Sequence, residues 1–367
     1  MKFLYLLLPL FVITACNRMN DDIIPQDEGI NNNLYFPPVG SHDWDTIDPD
    51  SIGWNVDKLD ELYTLLEDNG TRGFILLKDG KIVIEQYFGK DILGITNFTK
   101  DRVWYWASAG KTLTSFTVGK AQEEGYLSID APTSTYLGTN WTSLQPDDEE
   151  KITVRNQLTM TTGLDDGIAN SDETKSDKLL YKAPAGERWA YHNAPYTLLD
   201  QVVENAVGED FDTYFETVLQ NKIGMSGYWS WLGNNHVYFS TPRDMARFGL
   251  LMLNKGQWID TPIIQDTAYY NAMITPSQSI NKSYGYLFWL NGGPTYMLPE
   301  TQFIFQGNIT PSAPSDMYSG LGKNGQYVSV IPSQNLVMIR MGENPDQVAV
   351  PLLFLTDIWD SLNQIIQ

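Results

Sequence analysis

The chain has 367 residues, of which 42% are apolar, so it can bury one large core in a domain of catalytic size. Its 45 acidic residues outnumber its 24 basic residues and give a formal net charge of −21, which argues against binding to nucleic acid or to anionic lipid headgroups. Cys16 is the only cysteine, so an intramolecular disulfide is excluded.

The N-terminal segment has the features of an export signal. A positive charge precedes an apolar stretch over residues 3–12 that is too short to span a bilayer. Ile13-Thr14-Ala15-Cys16 resembles the lipobox of bacterial lipoproteins, where the signal is cut before a cysteine that is then lipidated. We therefore expect a lipoprotein signal peptide over 1–15 and a polar tether over 16–50 that follows lipidated Cys16. The resemblance implies an extracytoplasmic, membrane-anchored protein; an ordinary cleaved signal with an incidental cysteine is the alternative.

The remaining residues, 51–367, are expected to form one domain. Leucines at helical spacing predict an amphipathic helix over 55–67. Two β-rich runs, 74–78 and 81–88, are joined by Asp79-Gly80, a dipeptide that favours a tight hairpin turn. A helix followed by two antiparallel strands is therefore predicted at the start of the domain.

Helical segments predominate next, and a mostly helical lobe is predicted over about 111–235. A capping threonine with proline at the first helical position predicts a helix from Thr241 to Asn254. The other predicted helices are 109–124, 153–160, 195–206, 211–221 and 348–365, and the later strands are 326–331 and 336–341. This order predicts an α+β fold: an antiparallel sheet flanked by the N- and C-terminal helices, with the helical lobe beside it and a site in the cleft between them.

Ser108 and Lys111 are the first candidate catalytic pair. Ser108 directly precedes the predicted helix over 109–124, which contains Lys111, and residues three apart share a helix face, so the amine can reach the hydroxyl. A lysine can deprotonate a serine only if its surroundings lower its pKa, and neighbouring aromatic residues could do so by burial. The spacing alone is weak, because Ser279 and Lys282 repeat it in a predicted loop. A helix-capping serine beside a solvated lysine is the alternative.

Two later segments carry further candidates. Tyr191 and Asn193 could project to one side of an extended segment, where a tyrosine could relay a proton and an asparagine could hold a substrate carbonyl or the lysine amine. Tyr269-Tyr270-Asn271 matches the same three-residue pattern, so the pattern alone is weak. The third segment, 318–327, contains Gly320 and Gly322, which would let a substrate approach the backbone closely.

Taken in this order, the three segments resemble the serine β-lactamase and penicillin-binding-protein-like hydrolases, a family that includes class C β-lactamases, esterases, D-amino-acid peptidases and nylon-oligomer hydrolases. Residues 152–164 and 240–249 are also similar to segments of this family, and the resemblance covers nearly all of the mature domain. It implies the β-lactamase/transpeptidase-like fold and an acyl-enzyme mechanism. The implied roles are nucleophile for Ser108, base for Lys111, proton shuttle for Tyr191, substrate binding for Asn193, Gly320 and Gly322, and an oxyanion hole from the backbone amides of Ser108 and Lys323.

The third segment departs from the family pattern. Many relatives begin it with Lys or His, then Thr or Gly, then Gly, whereas this chain has Gly320-Leu321-Gly322. The departure favours hydrolysis of small esters, amides or D-amino-acid peptides over that of β-lactams. Lys323 could supply the missing charge from one step further along, although strand alternation would point it differently. A binding or sensor protein that is acylated without turnover is the alternative function.

Other catalytic classes fit the sequence less well. A phosphate-binding loop would need glycine at Tyr105, and the nucleophile elbow of α/β-hydrolases would need glycine at Trp106. A Ser-His-Asp triad would have to recruit one of three histidines, His42, His192 or His236. No residues show metal-ligand spacing, so neither a metal nor a cofactor is expected. The sequence does not specify the oligomeric state.

Overall fold

The structure is a computed structural model that describes residues 34–346, 348 and 350–366. The predicted signal peptide, Cys16 and the first half of the predicted tether lie outside these residues.

Within the described residues, the β-strands are β1 (Thr71–Lys78), β2 (Lys81–Tyr87), β3 (Trp104–Tyr105), β4 (Tyr228–Leu232), β5 (Asn235–Ser240), β6 (Gln257–Trp258), β7 (Thr261–Pro262), β8 (Trp289–Leu290), β9 (Thr295–Tyr296), β10 (Phe305–Gln306), β11 (Tyr318–Gly322), β12 (Gln326–Ile331) and β13 (Leu336–Gly342). The α-helices are α1 (Leu59–Asp68), α2 (Lys111–Glu123), α3 (Ser134–Leu137), α4 (Pro146–Glu149), α5 (Val154–Leu158), α6 (Asn193–Val207), α7 (Phe211–Phe215), α8 (Asn221–Ile223), α9 (Pro242–Leu253), α10 (Thr267–Met273) and α11 (Leu352–Ile365).

The main sheet confirms the predicted antiparallel architecture. Its strand order is β2-β1-β13-β12-β11-β8, and each pair of neighbours is antiparallel. Asp79 and Gly80 both have positive φ, 50° and 81°, as a type I′ turn requires, so this dipeptide sets the β1–β2 hairpin as predicted. The β11–β12 hairpin places the third sequence segment at one side of the sheet.

Helices cover both faces of this sheet. On one face, Gly249 of α9 lies so close to β13 that a Cβ at this position would be 2.4 Å from Val337 Cγ1. On the other face, buried Arg340 of β13 lies 5.2 Å from the ring centre of Phe354 in α11. The backbone of Asn55, just before α1, donates to the carbonyl of Ile365 at 2.8 Å, so the two terminal helices lie together as predicted.

Part of the predicted tether belongs to the folded domain. Although 16–50 was predicted to be a tether, residues 34–50 pack against β2 and the β1–β2 turn. The Trp44 indole donates to the Gly80 carbonyl at 2.8 Å, and Thr46 forms a parallel bridge with Ile82. The tether prediction is therefore wrong for these residues, because buried aromatic side chains and backbone hydrogen bonds cover the free edge of β2.

The helical lobe ends earlier than predicted. Its helices extend from α2 to α8, but Tyr228–Leu232 is a strand that pairs with β5, which in turn pairs with β3. Alternating aromatic residues on both sides of Gly233 are the hairpin signal that the prediction over 111–235 missed. The C-terminal helix begins at Leu352 rather than at 348, directly after Pro351.

Candidate active site

Ser108 lies in a 3₁₀ turn, Ala107–Gly110, which we call the serine turn and which leads directly into α2. Ala107 has a φ of +46°, a strained conformation for a residue with a side chain and one that is common at functional sites. The amide of Trp106 donates to the Tyr238 carbonyl at 2.8 Å, and the Trp106 indole donates to Ser240 Oγ at 2.7 Å. These contacts with β5 fix the turn that presents the serine.

Strand β11 supports the serine turn from the other side. A Cβ on Gly322 would lie 2.6 Å from the Trp106 carbonyl oxygen and 2.9 Å from the Ala109 nitrogen, and a Cβ on Gly320 would lie 3.0 Å from the Ala109 oxygen. These glycines therefore allow the serine turn to pack closely against β11, whereas the sequence predicted that they would allow a substrate to approach. Their role in binding substrate through the backbone stays a prediction.

Lys111, the first residue of α2, has the electrostatics of a base. Its side chain is only 3% exposed, and its Nζ lies 3.7 Å from the ring centre of Tyr196 and 5.4 Å from that of Tyr191. Burial lowers the pKa of Lys111 from its ordinary value of 10.5 to about 7, against the opposing effect of Asp172 and Asp200. A substantial fraction of this amine is therefore neutral near neutral pH.

Tyr191 is hydrogen-bonded to Ser108 through its hydroxyl group. Its ring stacks on Trp289 at 5.7 Å between ring centres and makes an edge contact with Tyr284 at 6.3 Å. Burial raises the pKa of Tyr191 above its ordinary value, and the hydrogen bond with Ser108 lowers it only in part. The hydroxyl is thus protonated at neutral pH and positioned to donate a proton.

Asn193 begins α6, one turn before Tyr196. Its Nδ2 donates to Asp172 Oδ1 at 2.8 Å, and Asp172 Oδ2 accepts from Asn235 Nδ2 at 2.9 Å. Asn193 Oδ1 accepts no hydrogen bond from the described residues. The side chain is therefore held with its carbonyl free to accept a hydrogen bond from an ammonium or from a substrate N–H.

Lys323 follows β11 in a short 3₁₀ turn, and its side chain is exposed. The next residue, Asn324, has a φ of +63° and donates from Nδ2 to the Tyr105 hydroxyl at 2.7 Å. Arg340 donates to the Gly325 carbonyl at 3.0 Å and so holds this turn from inside the domain. The Lys323 amide thus lies on a turn that is fixed next to Gly322.

The weak sequence matches lie elsewhere. Lys282 is exposed, and the hydroxyl of Tyr269 donates to the Ser115 carbonyl at 2.8 Å in the core. Sequence reasoning missed Tyr196 and Asp172, which contact Lys111 and Asn193. Asp172 is 21 residues from Asn193 in the chain, so no local pattern indicates their pairing.

Two of the three histidines, His192 and His236, are buried. Burial lowers the pKa of His192 to about 4, and His236 is paired with Asp200. Among residues 34–346, 348 and 350–366, no group of three or more His, Cys, Asp or Glu residues is arranged to hold a metal ion.

No described helix is long and apolar enough to span a bilayer.

Comparison with known proteins agrees with this geometry. Residues 65–346 match the family model described as Beta-lactamase. An uncharacterised protein of Alkalihalophilus pseudofirmus is 26% identical over 79% of this chain and 88% of its own length.

Two solved structures share the fold. One, described as a 6-aminohexanoate-dimer hydrolase from Bacillus anthracis, has a TM-score of 0.63 at 18% identity and covers 92% of this chain and 90% of its own. The other, a family VIII carboxylesterase, has a TM-score of 0.62 at 14% identity and covers 83% of this chain and 96% of its own. With the family model matched over most of the domain and the serine turn, buried lysine and tyrosine in place, the chain belongs to the β-lactamase family.

Proposed function

We propose that this protein is a serine hydrolase that forms an acyl-enzyme on Ser108 and cleaves small esters or amides. The observation that carries the proposal is the buried Lys111 amine, whose pKa is lowered to about 7, one helical turn from a serine that is hydrogen-bonded to Tyr191. A general base works best when its pKa lies near the working pH. Lys111 meets that condition.

The proposed reaction has two steps, acylation of Ser108 and hydrolysis of the acyl-serine. Neutral Lys111 accepts the Ser108 proton while Ser108 Oγ attacks the substrate carbonyl carbon, and the carbonyl oxygen becomes an oxyanion held by the amides of Ser108 and Lys323. Tyr191 protonates the leaving alcohol or amine as the bond to it breaks, and Lys111 returns a proton to Tyr191. Water then attacks the carbonyl carbon of the acyl-serine and gives a proton to Lys111 or Tyr191. That proton passes to Ser108 Oγ as the bond between Oγ and the acyl carbon breaks, which releases the acid and free Ser108.

The surroundings of the serine favour esters and amides over β-lactams. The residues opposite the serine turn are glycines, and the side chain between them, Leu321, is buried and apolar. Neither the two glycines nor Leu321 can provide a positive charge for a substrate carboxylate at this point of the strand. Asn193, whose carbonyl is free, can accept a hydrogen bond from the N–H of an amide substrate.

A short-chain p-nitrophenyl ester tests this proposal. Wild-type protein should release p-nitrophenol over many turnovers, whereas Ser108→Ala should lose at least about a thousandfold of the rate because the nucleophile is missing. Mass spectrometry of the quenched reaction should show one acyl group on the peptide that contains Ser108. Equal rates for wild type and Ser108→Ala would refute the proposal. A panel of β-lactams and D-amino-acid peptides, assayed in the same way, would define the acyl and leaving groups.

The same assay separates a hydrolase from an acylated sensor. A sensor would give a burst of one equivalent of p-nitrophenol and a stable acyl-Ser108, because water would not attack the ester. A hydrolase gives a burst followed by a linear phase, or no burst. A stoichiometric burst without further release would therefore replace the hydrolase proposal by the sensor.

We also propose that lipidated Cys16, which lies outside the described residues, anchors the protein to a membrane on the extracytoplasmic side. Diacyl attachment can hold a protein on a bilayer without a spanning helix. Cys16→Ala should move the protein from the membrane fraction to the soluble fraction after cell lysis. An unchanged membrane fraction would contradict lipidation.

A further inference from the structure

A second concave site lies further along α6, beyond Asn193 and Tyr196. This acidic cavity has a volume of about 260 Å³ and is bounded by α6, the start of α7 and the β4–β5 hairpin. The side chains that define it are Asp200, Glu204, Asp210, Asp212, Trp231 and His236. None of these residues is assigned a chemical step in the proposed hydrolysis, although Asp200 favours the charged form of Lys111.

The cavity contains buried polar atoms without partners. Asp200 is only 5% exposed, and its Oδ2 lies 2.8 Å from His236 Nδ1, but its Oδ1 makes no hydrogen bond within the described part of the chain. The hydroxyl of Thr197, which is 4% exposed and also lines the cavity, has no partner there either. A buried carboxylate oxygen without a donor costs free energy, so these two atoms point to a ligand that donates hydrogen bonds.

The negative charge of the cavity indicates that the ligand carries a positive charge. Four carboxyl groups line it, and neither lysine nor arginine is among its lining residues. Burial raises the pKa of Asp200 and that of Asp212, the latter to about 6, which shows that their ionised forms lack sufficient compensation. His236, whose pKa is raised overall by Asp200 despite its burial, can balance only one of these charges. A bound cation would compensate the others.

An aromatic face completes the site. The Trp231 side chain is 57% exposed, and its indole stacks on His236 at 4.5 Å between ring centres with an interplanar angle of 9°. An exposed indole beside carboxylates is a favourable surface for an organic cation. Bare metal ions are disfavoured, because no three His, Cys, Asp or Glu side chains in the described ranges converge on one point.

We propose that the acidic cavity binds a small organic ammonium ion, with the ammonium near Asp200 and Thr197 and the organic part against Trp231, and that its occupancy disfavours protonation of Lys111. The coupling follows from α6. Asn193, Tyr196, Asp200 and Glu204 recur every three or four residues on this helix, so they share one face. Asp200 therefore acts on both Lys111 and the cavity, and two cations near one carboxylate oppose each other.

Binding can be measured without any catalytic assay. Benzylammonium, titrated into Ser108→Ala protein by calorimetry, should bind at least about tenfold more tightly than benzyl alcohol, which has the same shape without the charge. Glu204→Gln and Asp212→Asn should each weaken benzylammonium binding by about threefold or more, and Trp231→Ala should also weaken it. Asp147→Asn removes an equal charge from the exposed surface of α4 and should leave binding unchanged.

The coupling has its own readout. Lys111→Met removes the competing ammonium, so benzylammonium should bind about threefold more tightly to this variant than to the parent protein at pH 6, where Lys111 is charged, and equally at pH 9. Asp212 and His236 are present in both proteins, so their protonation affects both affinities and cancels in this comparison. Equal affinities at pH 6 would overturn the coupling.

Equal binding of benzylammonium and benzyl alcohol, or full affinity in the Glu204→Gln and Asp212→Asn variants, would overturn the site itself. Because these measurements use protein without its nucleophile, they remain valid if the proposed hydrolysis fails. If the protein hydrolyses esters but does not bind benzylammonium selectively, the hydrolase proposal stands and the proposal of an ammonium site in the cavity is rejected.

Discussion

The Lys111 amine lies 3.7 Å from the centre of the Tyr196 ring, on the buried side of the serine turn. The ring face favours the charged lysine by about 0.5–2 kcal/mol. The pKa of about 7 instead of 10.5 corresponds to roughly 4–5 kcal/mol in favour of the neutral amine. Desolvation therefore outweighs the ring, and Tyr196 limits how far the pKa of Lys111 falls.

Replacing Tyr196 should consequently move the pH profile of ester hydrolysis. The rate should rise with pH around 7 in the wild type, because only neutral Lys111 accepts the serine proton. Tyr196→Leu removes the ring, lowers the pKa of Lys111 further and should shift this acidic limb to lower pH by about half a unit or more. The measurement is kcat/KM between pH 5 and 9.

Tyr196→Phe is the matched control. It keeps the ring and loses only the hydroxyl, which lies 3.2 Å from Thr114 Oγ1. Its acidic limb should stay within about 0.2 pH units of the wild type, because the phenyl face is retained. A limb that shifts equally in both variants would show that the ring face does not stabilise the ammonium.

The Asp172 carboxylate connects the charge of Lys111 to the orientation of Asn193. Asp172→Asn removes the charge that favours protonated Lys111 while keeping an oxygen that can accept from Asn193 Nδ2. The acidic limb should therefore move to lower pH with little change in KM. Asp172→Ala should move the limb similarly and also raise KM by about threefold to tenfold, because Asn193 loses the partner that orients it.

Asp177→Asn serves as the control for net charge. Asp177 is exposed and lies in the same segment between α5 and α6, so its removal should leave both the limb and KM unchanged. If Asp177→Asn shifts the limb as much as Asp172→Asn does, the effect is a long-range one and not specific to Asp172.

Local sequence signals predicted the parts of this fold that local chemistry determines. The Asp79-Gly80 turn, the capped helix at Thr241 and the strand pair around Pro332 all appear where the sequence placed them, because each depends on residues within a few positions. Ser108 and Lys111 became candidates for the same reason, because their spacing is local. Their meaning came from the resemblance of three ordered segments to a known family.

Long-range relationships could not be predicted in the same way. The contact of Tyr196 with Lys111 and the hydrogen bond between Asp172 and Asn193 join residues from separate elements, and no periodicity reports such pairs. The packing of Trp44 against Gly80 is another example, because a polar, proline-containing segment reads as a tether until the sheet edge that it covers is known. The sequence therefore did not predict contacts in which the partner residue belongs to a distant secondary-structure element.

Gly322 provides a test of the packing between β11 and the serine turn. Gly322→Ala would place a Cβ 2.6 Å from the Trp106 carbonyl oxygen, so the strand and the turn must separate. We expect a loss of stability of about 1–3 kcal/mol and a loss of activity of about tenfold or more, because displacement of the Ser108 amide would weaken the proposed oxyanion hole. Thermal unfolding and kcat measure the two effects.

Gly110→Ala is the control within the serine turn itself. Gly110 has a φ of −62°, and an added Cβ would be 3.7 Å from its nearest neighbours, which is an ordinary contact distance. Stability and activity should both stay close to those of the wild type. Equal damage from the two substitutions would mean that the turn tolerates no added atom, and the contact with β11 would then have no special role.

The buried Lys111 amine should lower the stability of the domain. Its pKa is about 7 in the folded protein and near 10.5 when exposed, so the unfolded chain binds more protons between these values. The resulting penalty is full below pH 7 and disappears as pH rises through 10.5. Lys111→Met, which keeps the volume and removes the amine, should therefore abolish ester hydrolysis yet raise the free energy of unfolding at pH 7.

The expected gain is about 2–4 kcal/mol, smaller than the full pKa difference implies, because methionine loses the contact of the amine with the Tyr196 ring. The gain should shrink to about 1 kcal/mol or less near pH 10, because the pH is then close to the pKa of the unfolded lysine and little of the penalty remains. Urea unfolding of wild type and Lys111→Met at pH 7 and pH 10 measures this difference. A variant that is less stable at pH 7, or equally stabilised at both pH values, would show that the buried amine is compensated in the folded state and is not held there as a strained base.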